Sequence, residues 1–347
     1  MIWFFLLSGI FLGWSLGAND AANIFGTAVS TRMVKFRIAA LVASVFVILG
    51  AVLGGAGTTE TLGELGAINA MGGSFTVALA SGLTVAWMTR AKLPVSTSQA
   101  IIGGILGWNW FTASPTDFGA LSEIISAWIF SPIIAALFAF ILSKIIALMI
   151  KGIHLHLLRV DQVTRIALIL IGAFGAYSLG ANNIANVMGV FVPANPFADV
   201  HLGNMFNFTG TQQLFLLGGL AISAGIYTYS RKVMVTVGND LYKLTPLTAL
   251  VVVLAVALVL FIFASENLQH LLISAGLPPL PLVPVSSSQA VIGAVIGIGL
   301  SRGGKGIRYR VMGRIAMGWI LTPVAACLLT FILLFFVKNV FEIQVVK

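Results

Sequence analysis

Ten apolar runs separated by short polar loops leave this chain few folding options. They lie near Ile2–Ser30, Ile38–Leu53, Ala67–Met88, Pro94–Phe111, Ile124–Ser143, Ile166–Val192, Leu214–Ser230, Leu244–Ala264, Pro284–Leu300 and Ile315–Val337. A water-soluble core could not hide them. The chain is 59% hydrophobic and 8% charged, whereas soluble domains carry about 25% charged residues. An apolar stretch of about 20 residues crosses a bilayer as a helix, which satisfies its own backbone. The expected fold is therefore an all-α integral membrane protein with about ten spans.

The loops test that count. Arg32, Lys35 and Arg37 fill the first; Arg90 and Lys92 the third; Lys144, Lys151, Arg159 and Arg165 the fifth. Arg231, Lys232 and Lys243 mark the seventh, and Arg302, Lys305, Arg308, Arg310 and Arg314 the ninth. The even loops carry Glu60 and Glu64, Asp117 and Glu123, Asp199, and Glu266. Seventeen of the 19 Lys and Arg residues thus sit in odd loops, with Lys338 and Lys347 left over. The positive-inside rule places the odd loops in the cytoplasm and both termini outside, in a multi-pass protein of the plasma (inner) membrane. The same rule accounts for the net charge of +9, so nucleic acid is not an expected partner; the lipid bilayer is. The N-terminus has no basic n-region or cleavage site and reads as a retained first helix. The single Cys327 cannot pair within the chain.

Segments echo each other across the chain. Gly17-Ala18-Asn19-Asp20-Ala21-Ala22-Asn23 returns as Gly180-Ala181-Asn182-Asn183-Ile184-Ala185-Asn186. Pro94-Val95-Ser96-Thr97-Ser98-Gln99-Ala100 returns as Pro284-Val285-Ser286-Ser287-Ser288-Gln289-Ala290. Ser131-Pro132 returns as Thr322-Pro323. Each half holds five spans, an odd number, so the second copy enters the membrane from the opposite side. The expectation is two inverted five-span repeats, residues 1–150 and 165–347, joined by a cytoplasmic linker over 151–164, the architecture of many secondary transporters.

Asp20 is the one acidic residue inside an apolar run, and an ionisable group in lipid is a functional candidate by default. Asn19 and Asn23, like Asn182 and Asn186, stand four apart and share a helix face. Their carbonyls suit a small cation and their N–H groups an anion. The first and sixth runs are long and polar in the middle, which predicts broken helices with freed backbone groups. The proline motifs predict helix N-termini rich in hydroxyls, and such ends bind anions. Ser96, Thr97, Ser98, Ser286, Ser287 and Ser288, with Asn19 and Asn182, are the candidate anion-binding residues. Asp20, Asn23, Asn183, Asn186, Gln99 and Gln289 are the candidate coupling-cation residues, with Na⁺ expected at Asp20, Asn23 and Asn186. No cofactor is expected; H⁺ carried by Asp20 is the alternative coupling ion. Close helix packing is expected at Gly50-x-x-x-Gly54, Gly103-x-x-x-Gly107 and Gly293-x-x-x-Gly297.

These paired motifs resemble the inorganic phosphate transporter (PiT) family over nearly the whole chain, as does Thr236-Val237-Gly238-Asn239-Asp240-Leu241-Tyr242-Lys243-Leu244-Thr245-Pro246. The resemblance implies Na⁺- or H⁺-coupled uptake of inorganic phosphate by symport, a homodimer, and up to twelve membrane elements if broken or re-entrant helices count separately. Two positions depart from the family's pattern. Gln99 and Gln289 stand where it commonly has His, and Asn183 where it commonly has Asp. Both changes remove titratable groups. Sulfate, which needs donors only, is the alternative substrate, and an anion channel is the less favoured mechanism. An enzyme is not expected. His154, His156, His201 and His270 all fall in loops, and no base accompanies the intramembrane serines.

Overall fold

The computed structural model describes residues 2–91, 95–152, 157–202, 206–234, 245–304 and 309–347. Pro94, Lys92, His154, His156, Lys305, Arg308 and most of the stretch from Thr236 to Pro246 lie outside the described residues. The order of elements is α1 (Ile2–Ser30), α2 (Phe36–Gly54), α3 (Ala56–Leu65), α4 (Met71–Arg90), α5 (Thr97–Thr112), α6 (Phe118–Gly152) and α7 (Leu157–Met188). A 3₁₀ turn at Gly189–Ala194 and a small hairpin, β1 (Val200–Leu202) and β2 (Phe206–Phe208), follow. The hairpin is antiparallel, with His201 opposite Asn207. Then come α8 (Gly210–Thr228), α9 (Pro246–Ile262), α10 (Glu266–Ser274), α11 (Ser287–Ser301) and α12 (Tyr309–Asn339).

Local chemistry sets many of these boundaries. Ser96 caps α5, accepting from the Gln99 backbone N–H at 3.3 Å, and Ser286 caps α11 from Gln289 in the same way, also at 3.3 Å. Thr209 and Gln212 form a reciprocal capping box on α8. Thr245 caps α9, with Pro246 in its first turn.

Among the described residues, six helical segments are long and apolar enough to cross a membrane, or up to seven if α9 and α10, bent by 70°, form one span. The fourth and ninth apolar runs give only α5, of 16 residues, and α11, of 15. These reach about 24 and 22 Å, short of the roughly 30 Å hydrocarbon core. The predicted breaks also fall elsewhere. α1 is helical without interruption from Ile2 to Ser30, and α7 from Leu157 to Met188. The irregular backbone lies instead at Gly55, before Ser96, between α9 and α10, and before Ser286. Asp20, Asn23 and Asn186 find side-chain partners on α5 and α11, Asn182 binds the backbone of Val283 and Val285, and Asn19 and Asn183 bond within their own helices, so α1 and α7 need not open to satisfy them. α7 begins at Leu157, inside the stretch expected as linker.

The packing is crossed. α2 lies on α7 while α8 lies on α1; α5 lies on α12 while α11 lies on α6. Glycines set the closeness of these contacts. A methyl at Gly103 would collide with the Pro323 carbonyl, and one at Gly293 with that of Pro132. Gly17 stands against the Ile222 carbonyl and Gly180 against that of Val47. The expected close packing at Gly50, Gly107 and Gly297 is present too, each against a backbone carbonyl. The outer faces are apolar: Leu53, Leu148, Leu170 and Ile320 are each 65–69% exposed, as lipid-facing side chains would be.

Candidate functional site

The two serine motifs meet. Val95 precedes α5 and Val285 precedes α11. Ser98 Oγ donates to the Val285 carbonyl at 3.2 Å, and Ser288 Oγ donates to the Val95 carbonyl at 3.3 Å. Each helix N-terminus is thus tied to the non-helical segment that leads into the other. Ser96, Thr97, Ser98, Ser286 and Ser287 are buried, and Ser288 is half-buried. The caps engage the N–H groups of Gln99 and Gln289, and those of Ala100 and Ala290 bond the cap carbonyls. Helix geometry leaves the preceding N–H groups, on Thr97, Ser98, Ser287 and Ser288, without intrahelical partners.

The asparagine helices reach across to these motifs. Asn23 Nδ2 donates to Ser287 Oγ at 2.9 Å, and Asn186 Nδ2 donates to Ser98 Oγ at 2.9 Å. Each half of the chain therefore contacts the serine motif of the other. Asp20, fully enclosed, receives Asn19 Nδ2 at 2.6 Å on one oxygen and Thr97 Oγ at 3.2 Å on the other. All of the predicted residues on α1, α5, α7 and α11 lie in this one region, but they do different things. Asn182 donates to the Val283 carbonyl at 3.3 Å and accepts from the Val285 N–H at 3.1 Å. Both ends of its amide are engaged, so it staples the segment before α11. Asn183 donates to Leu179 O at 3.1 Å and accepts from Asn186 at 2.9 Å.

Three buried carbonyl oxygens, Gln99 Oε1, Gln289 Oε1 and Asn186 Oδ1, have no partner among the described residues. Each belongs to a residue that the sequence pattern marks as a cation candidate, as does the Asp20 carboxylate. No group of three His, Cys, Asp or Glu that could hold a metal occurs among the described residues. Sequence reasoning missed Val95, Val283 and Val285. Their contribution is through backbone atoms, which an apolar side chain does not advertise.

Residues 16–330 match the phosphate transporter family. A Methanocaldococcus jannaschii protein provisionally named a phosphate permease is 27% identical over 94% of this chain and 95% of its own length. A Bacillus subtilis protein provisionally named a low-affinity inorganic phosphate transporter is 29% identical over 90% of each. A solved structure described as a sodium-dependent phosphate transporter superposes with a TM-score of 0.73 at 23% identity, covering 96% of this chain and 98% of the other. With its apolar helices and their crossed packing, this multi-pass membrane chain belongs to the phosphate transporter family.

Proposed function

We propose that the chain is a secondary active transporter that imports inorganic phosphate by cation-coupled symport with alternating access, through a site where two inverted repeats meet. The observation that carries this reading is the reciprocal tie of Ser98 to Val285 and of Ser288 to Val95. Two helix N-termini held tip to tip aim their dipoles and free N–H groups at one place, which favours an anion there. An inverted repeat would produce such a meeting. The crossed packing, with equivalent glycines on equivalent carbonyls, supports it.

In this reading the anion sits between α5 and α11. It takes the N–H groups of Thr97, Ser98, Ser287 and Ser288 and the hydroxyls of both motifs. Ser98 and Ser288 give up their carbonyl partners when it arrives. Asp20, with Asn23, Asn186, Gln99 and Gln289, takes the coupling cation. The unpartnered carbonyl oxygens favour Na⁺ over H⁺, because a proton needs only one acceptor whereas a bare cation needs several. The cation offsets the anion's charge, since no Arg or Lys is among the site residues. Alternating access follows if α5 and α12 move against α11 and α6. The repeats are residues 1–150 and 165–347. The basic loops face the cytoplasm and both termini face outward in the inner membrane.

The test is uptake of radiolabelled phosphate and sulfate into proteoliposomes, with and without a Na⁺ gradient, for the wild type and Asp20→Asn. Phosphate accumulation that needs Na⁺ and is lost in the variant is expected. Sulfate accumulation alone would replace the substrate, accumulation under a proton gradient alone would replace the coupling ion, and downhill flux without accumulation would replace the carrier with a channel.

A further inference from the structure

The echo between Ser131-Pro132 and Thr322-Pro323 extends one turn further back. Trp128-Ile129-Phe130-Ser131-Pro132 on α6 returns as Trp319-Ile320-Leu321-Thr322-Pro323 on α12. Each proline carbonyl seats a glycine, that of Pro132 facing Gly293 and that of Pro323 facing Gly103. One turn on, the Ala136 carbonyl faces Gly297 and the Cys327 carbonyl faces Gly107. Residue numbers rise together along both seams, so α6 runs parallel to α11 and α12 runs parallel to α5.

Residues four apart share a helix face. One turn back from the proline seats, the same register brings Trp128 level with Gln289 and Trp319 level with Gln99. Side chains on a helix lean toward its N-terminus, so in each parallel pair the indole and the amide lean the same way. These four residues have something else in common. Trp128 Nε1 and Trp319 Nε1 are buried donors with no hydrogen-bond partner among the described residues, and Gln99 Oε1 and Gln289 Oε1 are buried acceptors with none. Leaving such groups unpaired is costly. The indole nitrogen only donates and the amide oxygen only accepts. A spare donor and a spare acceptor therefore stand at one level of one seam, and do so in both halves.

We propose that Trp128 and Trp319 are positioning residues of the transport site, each indole N–H holding the Oε1 of the glutamine across its seam while the cation is away and releasing it when the cation arrives. The positive end of the N–H dipole opposes a cation at the same oxygen, so the two alternate. The release rests on the reading of Gln99 and Gln289 as cation residues; the pairing itself does not. Neither tryptophan touches the ion, and each acts through its glutamine.

The experiment labels the indole nitrogens of the full chain with ¹⁵N in nanodiscs free of Na⁺ and phosphate. Among the resonances of the seven tryptophans, Trp128→Phe and Trp319→Phe identify the two of interest. Gln289→Met, which removes the oxygen, should shift the Trp128 resonance upfield and leave that of Trp319 in place; Gln99→Met should do the converse. Gln289→Glu, a stronger acceptor, should shift the Trp128 resonance downfield, and it decides the matter if the Met variant does not fold. A Trp128 resonance that follows neither change would overturn the pairing. Na⁺ should move both wild-type resonances as the Met variants do, whereas movement with phosphate alone would make the indoles donors to the anion and overturn the release. In proteoliposomes, Trp128→Phe should lower the Na⁺ concentration for half-maximal phosphate uptake about fivefold, the weight of one hydrogen bond, with half-saturating phosphate unchanged. Trp87→Phe, which alters an exposed ring, should change neither. An unchanged Na⁺ half-saturation in Trp128→Phe would make the indole structural and overturn its positioning role. Wild-type uptake indifferent to Na⁺ would overturn the cation reading and the release with it, while the glutamine-dependent shifts would still decide the pairing.

Discussion

The two half-sites are built from matching sequence, yet they differ in what their α1 and α7 residues do. On α1, the buried Asp20 carboxylate accepts from Asn19 of its own helix and from Thr97 of α5. On α7, the equivalent Asn182 staples backbone, and the equivalent Asn183 turns back to Leu179 within its own helix. The cross-ties of the serine motifs, by contrast, match, Ser98 and Ser288 each finding the other's valine carbonyl, although Ser288 alone also meets a neighbouring hydroxyl, that of Ser286 at 3.0 Å. The tie between the two helix N-termini is symmetric, whereas the part that would hold the cation is one-sided. A single charge suffices for one cation, and a second carboxylate in the same enclosure would repel the first.

The sharpest break of this comparison is Asp20→Asn, which makes the halves chemically alike. Na⁺-driven phosphate accumulation should fall to background in proteoliposomes while the protein still folds, checked by its elution as a single species. Moving the charge, in Asp20→Asn/Asn183→Asp, should leave uptake at background, because Asn183 faces Leu179 and Asn186 rather than Thr97; full recovery would mean that the halves are interchangeable. Next come Gly103→Ala and Gly293→Ala. Each drives a methyl into a backbone carbonyl that cannot swing aside, at about 1–3 kcal/mol or more. Equal falls in thermal midpoint are expected if the crossed contacts are equivalent. Asn182→Ala removes two buried hydrogen bonds and should lower stability by about 1–3 kcal/mol. Asn19→Ala should change the Na⁺ dependence of uptake more than the unfolding midpoint. Smallest are Ser98→Ala and Ser288→Ala, each expected to cost about 1 kcal/mol, with the larger loss at Ser98, which also accepts from the buried Asn186.

Much of this arrangement was legible in the sequence because paired motifs are discrete chemical marks. The serine caps start α5 and α11 one residue after Ser96 and Ser286, and the asparagines lie in the same region as those caps. Hydropathy was a poorer guide to crossing, because it records burial and not path: α11 is as apolar as a span but has 15 residues. The expectation that polar centres break α1 and α7 failed for a related reason. A polar side chain in lipid needs partners, and Ser287, Thr97 and Ser98 supply them without any opening of the helix. Asn182's role as a staple could not be read from its type, since donors and acceptors look the same whether they meet a ligand or a backbone.

The crossed seating of α5 on α12 and α11 on α6 also bears on how the protein is made. A ribosome that has released the helices only as far as α6 has produced an α5 that can rest on α4 but not on its second seat, because Pro323 and Cys327, whose carbonyls Gly103 and Gly107 abut, are still to be synthesised. The early helices must wait in the membrane, at the insertion machinery or beside it, until the last long helix arrives. Folding of the two halves is then one late event, and truncation before α12 would remove the seat of a helix encoded more than 200 residues upstream of it.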